Sequence, residues 1–134
     1  MKISSKTITA IKMFVDLGEH YEEGFISLVD IAKRKDLSKK FLEQIVPLYK
    51  NSGLILGTRG NQGGYKLAKT PREISLRDII YISENSLLKD NIGYGPIDNV
   101  INGLDNLLDD YLGNITLSKL VEEEKESYSN NYCI

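Results

Sequence analysis

Apolar residues recur along this chain at helical spacing, then in two short runs, then again at helical spacing. Ser4 and Ser5 can cap a first helix from about Lys6 to Gly18, with Ile8, Ile11, Phe14 and Val15 as its buried face. Residues 19–24 are polar and form a loop. Ser27 caps a short helix from Leu28 to about Lys35, and Asp30 stands three residues on, as in a shortened capping box. Leu28, Ile31 and Ala32 face inward. After a turn at Asp36-Leu37, Ser38 caps a helix that reaches about Ser52, with Phe41, Leu42, Ile45, Val46 and Tyr49 as its stripe. Pro47 lacks an N–H and should divide this helix into two packed pieces. Gly53 falls where a left-handed residue ends a helix. Two helices joined by a short turn make a helix-turn-helix.

The second half of the pattern begins with strands at Leu54–Leu56 and Tyr65–Leu67. Between them Gly57–Gly64 holds four glycines in eight residues. The loop lacks the Lys-Ser/Thr ending of a phosphate-binding loop, and no long helix follows it. It suits a wing, with Arg59 near the tip. Ser75 caps the next helix, Leu76 to about Glu84, on which Leu76, Ile79, Ile80 and Ile82 are apolar. Pro96 can open a long helix to about Tyr111. In it Ile97, Val100, Ile101, Leu104, Leu107, Leu108 and Tyr111 fall three and four apart, with Asp98, Asp105, Asp109 and Asp110 on the other side. Such a seam packs on its own head domain or on a second copy. Thr116 caps a last helix, Leu117 to about Glu124, and residues 125–134 show no packing pattern. The expected fold is mainly α with a small β-hairpin wing. A winged helix-turn-helix DNA-binding domain covers 1–84, a linker loop 85–96, dimerisation helices 97–124 and a flexible tail 125–134.

Charge sharpens this picture. Residues 1–70 hold twelve Lys/Arg against seven Asp/Glu, whereas residues 71–134 hold five against twelve. A basic N-terminal half attracts phosphate and an acidic C-terminal half does not. One histidine, His20, and one cysteine, Cys133, leave no catalytic triad, no intramolecular disulfide and no multi-thiolate metal site. The chain is therefore expected not to be an enzyme and to carry no cofactor. No apolar run approaches the roughly 20 residues that cross a bilayer, and residues 1–6 lack the apolar core of a signal peptide. A cytoplasmic protein that does not engage a membrane is expected.

Three stretches together resemble the Rrf2 regulators. They are Ser38-x-x-Phe41-Leu42-Glu43-Gln44-Ile45-x-Pro47-Leu48, then Asn51-Ser52-Gly53-Leu54-Ile55, then Arg59-Gly60-x-x-Gly63-Gly64-Tyr65-x-Leu67. The start of the chain and Ile74–Ile80 resemble the family too, so the likeness covers about residues 1–84 well and the long helix by position. The family includes iron–sulfur-cluster and nitric-oxide sensing repressors and the cysteine-metabolism repressors of Gram-positive bacteria. The resemblance implies a homodimer on pseudo-palindromic, double-stranded promoter DNA. It places Ser38, Lys39, Lys40, Glu43 and Gln44 at the major groove, where the start of a recognition helix meets base edges. Glu43 can accept from cytosine N4 and Gln44 can pair with adenine, while Lys39 and Lys40 anchor phosphates. Arg59 would enter a narrow minor groove, and Gly60, Gly63 and Gly64 would let the backbone approach DNA.

The chain departs from the cluster-binding members between Asn85 and Pro96, where it has no cysteine. An iron–sulfur site needs thiolates, or rarely histidine, so a cysteine-ligated cluster is rejected here. Glu84 and Asp90 are scattered acids of the kind usually found at the surface. This leaves resemblance to the cysteine-free, cysteine-metabolism repressors, whose aromatic-rich tails close on Ile. Tyr132, Cys133 and Ile134 suggest a tail that cysteine synthase captures by its terminal carboxylate. Two alternatives stay open: a regulator of the same family that senses iron, redox state or a small ligand, and a protein–protein adaptor that has lost DNA binding.

Overall fold

The computed structural model describes residues 2–60, 63–84 and 93–132. Among these residues, six helices and one hairpin follow in the order α1 (Ser5–Glu19), α2 (Leu28–Lys35), α3 (Lys39–Asn51), β1 (Ile55–Thr58), β2 (Gly64–Leu67), α4 (Leu76–Ser83), α5 (Pro96–Gly113) and α6 (Leu117–Tyr132). Single 3-10 turns occupy Tyr21–Glu23 and Pro71–Glu73. The architecture is mainly helical with a small antiparallel wing, as expected.

Local chemistry sets the helix starts. Serine Oγ atoms accept from the backbone N–H three residues on at Ser4 (Thr7, 3.3 Å), Ser27 (Asp30, 3.1 Å), Ser38 (Phe41, 3.2 Å) and Ser75 (Asp78, 3.2 Å). At Ser75 the box is reciprocal, since Asp78 Oδ2 accepts the Ser75 N–H at 3.0 Å. Asp36 ends α2 with φ 53°, and Gly53 follows α3 with φ 82°, the left-handed conformation that reverses a chain after a helix. Pro47 does not divide α3, which is one helix across it. Pro47 is exposed, so water can satisfy the carbonyl that loses its partner there.

The core gathers α1, α3 and α4 around two aromatic rings. Tyr49 and Phe14 are fully buried and meet edge to face with centroids 5.0 Å apart. The Tyr49 hydroxyl donates to the Ile79 carbonyl at 2.8 Å, so its buried dipole has a partner. The buried arc of α1 is Thr7, Ala10, Met13, Phe14, Val15 and Leu17. Ile8, expected inside, is 43% exposed, and Ile11 is only partly covered. Ile8 lies on the adjacent arc of the helix, beyond the core, whereas Ile11 packs on the core's edge.

The hairpin pairs Ile55 with Leu67 and Thr58 with Gly64. Ile26 extends it, exchanging both backbone hydrogen bonds with Tyr65 at 2.8 Å. At the other end Leu76 N–H donates to Ile115 C=O and Leu117 N–H to Ile74 C=O, pinning the start of α6 to the start of α4. Leu117 and Val121 then bury against α1. A Cβ at Gly18 would come within 2.9 Å of Val121, so the glycine permits this close approach. α6 continues to Tyr132, well past the expected end near Glu124. The stretch read as a patternless tail is helical because Glu122–Glu126 are strong helix formers and Tyr128 lies seven residues after Val121, on the same face. Cys133 and Ile134, and most of the expected linker, lie outside the described residues.

Candidate nucleic-acid interface

The helix-turn-helix is α2, the turn at Asp36–Ser38, and α3. What orients it against the core is an ion pair that sequence reasoning missed. Arg34 of α2 donates from Nε to Asp16 Oδ2 at 2.8 Å and from Nη2 to Oδ1 at 2.9 Å. Asp16 is fully buried in α1, and such two-pronged pairing fixes angle as well as distance. The Asp16 hydrogen bond holds the guanidinium protonated more firmly than usual. The available signal was an acid inside the apolar run Phe14–Leu17. His20 caps the same helix end, its Nδ1 placed 2.9 Å from the Asp16 carbonyl as donor.

On this frame the start of α3 is presented to solvent. Ser38, Lys39, Lys40, Glu43 and Gln44 are all exposed, while Leu42, Ile45 and Val46 of the same helix are buried. Five polar groups therefore share one accessible face. Lys39 Nζ lies 3.6 Å from Glu43 Oε1 on the next turn, an exposed pair worth a few tenths of a kcal/mol at most.

The wing follows directly from α3 through the Gly53 turn. Arg59 and Gly60 are exposed, and Gly60 has φ 106°, a conformation available to glycine and strained for other residues. Gly63 and Gly64 serve the hairpin itself. A Cβ on Gly63 would meet the Thr58 carbonyl at 2.7 Å, and one on Gly64 the Ile26 carbonyl at 2.3 Å. Gly64 is buried, and its lack of a side chain admits the Ile26 segment. Gly64→Val is expected to push that segment off β2 and cost about 2–3 kcal/mol. A urea midpoint equal to the parent's would count against this packing.

The seam of α5 is turned away from the head. Ile97, Val100, Leu107 and Tyr111 are 79%, 72%, 69% and 67% exposed, Ile101 and Leu104 are exposed to a lesser degree, and Leu108 is half-buried. Among the described residues, only Leu108 of this seam is half-buried, and the rest is not covered by the head. The helix meets α4 at its far end, where Leu112 joins Leu76 and Ile80 and Tyr81 donates to Asp109 Oδ1 at 2.5 Å. Burial and that carboxylate push the Tyr81 hydroxyl up to about 12.

Glu84 is a correction to the surface reading. It is buried, and its Oε1 accepts from Ser4 N–H (2.8 Å), Ser4 Oγ (2.6 Å) and Thr7 Oγ1 (2.6 Å). These bonds, the Ser4 hydroxyl first, hold its carboxyl below the usual range. A carboxyl depressed in the folded state stabilises above its ordinary range, and that share is lost as pH falls through the folded value. Glu84→Gln is therefore expected to lower stability by about 1 kcal/mol near neutral pH, with the gap to the parent closing on acidification. Equal urea midpoints at neutral pH would contradict the latch.

The donors for an iron–sulfur cluster do not fit this chain: one cysteine lies outside the described residues, and the lone histidine is engaged at the end of α1. Among the described residues no group of three or more His, Cys, Asp or Glu could hold a metal ion, and no helix is long and apolar enough to cross a membrane.

Comparison with known proteins fits this geometry. The Rrf2 family, described as iron-dependent transcriptional regulators, matches residues 3–123. IscR of Pectobacterium carotovorum is 30% identical over 134 residues, spanning 93% of this chain and 82% of that protein. CymR of Bacillus subtilis is 38% identical over 87 residues, 65% of this chain and 63% of its own. Protein rrf2 of Nitratidesulfovibrio vulgaris is 33% identical over 84 residues, 63% of this chain and 56% of its own. The aligned part is thus less than two thirds of the last two relatives. Among solved structures, T. potens IscR matches with a TM-score of 0.79 at 35% identity, covering 95% of this chain and 90% of that one. CymR, described as the global cysteine regulator of B. subtilis, matches at 0.78 and 29% identity, covering 92% and 98%. With an exposed second helix in its helix-turn-helix, a wing and a family match over residues 3–123, the chain belongs to the Rrf2 family of transcriptional regulators.

Proposed function

We propose that this regulator acts in the cytoplasm as a homodimer on pseudo-palindromic promoter DNA and represses genes of cysteine and sulfur metabolism without an iron–sulfur cluster. The observation that carries the DNA reading is the shared exposure of Ser38, Lys39, Lys40, Glu43 and Gln44 at the start of α3, with Arg59 exposed on the wing that follows. Lys39, Lys40 and Arg59 supply the phosphate and minor-groove charge; Glu43 and Gln44 carry the base readout. Two copies joined through the α5 seam would set two such heads on successive half-sites about one helical turn apart. Support for the sulfur-gene assignment is the likeness to CymR together with the poor donor set for a cluster.

Cysteine synthase is the proposed protein partner, holding Tyr132, Cys133 and Ile134 by the terminal carboxylate. Because α6 is helical to Tyr132, an extended bound tail must unwind the last turn. Equal synthase affinity after deletion of Ile134 would remove this partner from the scheme.

The deciding experiment is capture of genomic DNA fragments by the purified protein, followed by sequencing. A palindrome upstream of cysteine, methionine or sulfur-transport genes is the expected result. A palindrome upstream of unrelated genes keeps the regulator and replaces its signal. No enrichment, with and without cysteine synthase, favours the adaptor.

A further inference from the structure

Two ion pairs hold the last turn of α2 against α1. Arg34 meets Asp16 with both prongs, at 2.8 and 2.9 Å, and Asp16 is fully buried. The next residue, Lys35, sets its Nζ 2.6 Å from Glu19 Oε1, and both of these side chains are largely covered. Asp16 and Glu19 stand three residues apart on α1, so their carboxylates share one face of it. Two attachments at consecutive residues fix the rotation of α2 about its own axis as well as its place.

The link from this clamp to α3 is short and tied down. Asp36 takes the left-handed conformation, with φ 53°. The N–H groups of Asp36 and Leu37 both return to the Ala32 carbonyl. The Leu37 side chain packs on the core, and Ser38 then caps α3. The angle at which α1 holds Arg34 and Lys35 is thus passed on to Ser38, Lys39, Lys40, Glu43 and Gln44. Arg34 and Lys35 are also two of the twelve cations in residues 1–70. Each already faces a carboxylate of its own chain, so neither adds to the charge offered to phosphate.

We propose that Asp16–Arg34 and Glu19–Lys35 are positioning pairs: they touch no DNA, yet they set how sharply this regulator tells its operator from other DNA. Hydrogen bonds to base edges weaken steeply with misalignment, and a binding constellation has to be held within roughly 0.5 Å and 10–20°. Attraction between exposed lysines and phosphates makes no such angular demand. A loosened clamp therefore weakens the operator complex and spares the complex with random-sequence DNA. The inference rests on the DNA reading above and deepens it, by naming residues away from the interface on which its discrimination depends.

The test is binding of the full chain to the operator recovered by genomic capture and to random-sequence DNA, each at two salt concentrations and well below the melting midpoint. Arg34→Lys keeps the charge but replaces a planar fork by a point, and Arg34 is partly exposed, so the fold has room for the change. Operator affinity is expected to fall about tenfold, as it does for one mismatched base pair, with random-sequence affinity unchanged. Asp16→Asn keeps the shape, removes the counter-charge and is expected to act in the same direction. Arg34→Gln and Lys35→Gln should leave the salt slope at the parent's value, because no phosphate contact is lost. A pair that serves stability alone would lower both affinities in step with the folded fraction. An unchanged ratio of operator to random-sequence affinity in Arg34→Lys and Asp16→Asn would therefore overturn the positioning role. A slope lowered by about one in either Gln variant would overturn it too, since that residue would then be a phosphate anchor. If the parent recovers no operator, the DNA reading falls before any variant is compared, and this inference falls with it.

Discussion

Leu104→Asp is expected to leave the chain folded but monomeric and to lower operator affinity about a thousandfold, close to the level of non-specific binding. Leu104 sits mid-seam on α5 and is 48% exposed in the single chain, so the substitution removes little from the monomer's own core. In the proposed dimer the cost falls on association. A carboxylate placed between two apolar helices must be desolvated without a counter-charge, and α5 already carries four Asp residues and no cation. A monomer holds one recognition helix and one wing, hence one half-site. Losing the second removes its phosphate and base contacts together with the avidity that joins them. Sedimentation and a binding titration at fixed salt check both halves. A variant that sediments as a dimer would move the dimer contact off this seam. A monomer with parental affinity would make a single head sufficient for recognition.

Much of the fold was legible because its signals are local. A serine oxygen three residues before a free N–H marks a helix start wherever the chain lies, and Ser4, Ser27, Ser38 and Ser75 all act so. Gly53 announces a left-handed turn for a similar reason. The readings that failed needed information from far along the chain. Ile8 has helical spacing with Ile11 and Val15, but periodicity gives a face and not its extent; where α3 and α4 end decides which arc is covered. Glu84 looked like a surface acid because its donors, Ser4 and Thr7, lie at the opposite end of the head. Asp16 and Arg34 are also separate in sequence, though an acid within Phe14–Leu17 was a hint. α6 was underestimated because its later turns follow helix propensity and a single aromatic, Tyr128, rather than a full stripe. At the interface, the exposed end of α3 was anticipated. Gly63 and Gly64 also fit closely against the chain's own backbone, a packing that glycine spacing alone does not reveal.

Arg59→Ala is expected to weaken operator binding by about tenfold to a hundredfold and to relax selection at the A·T-rich position beneath the wing. The side chain is exposed, so its removal leaves the fold intact and the loss belongs to the complex. A guanidinium in a narrow minor groove gains from concentrated negative potential, and that gain depends on local sequence. Lys39→Ala provides the contrast. A phosphate anchor carries no sequence information, so its loss should weaken all sites alike and lower the salt slope by about one. Lys39 also lies 3.6 Å from Glu43. Under the proposed readout, releasing Glu43 from that weak pair alters preference only at the base pair assigned to Glu43, and not beneath the wing. Selection from a randomised operator pool, repeated at two salt concentrations, separates these effects. An unchanged motif with Arg59→Ala would remove the wing from readout and leave specificity to Glu43 and Gln44. A uniform loss from both variants would make Arg59 a second phosphate anchor.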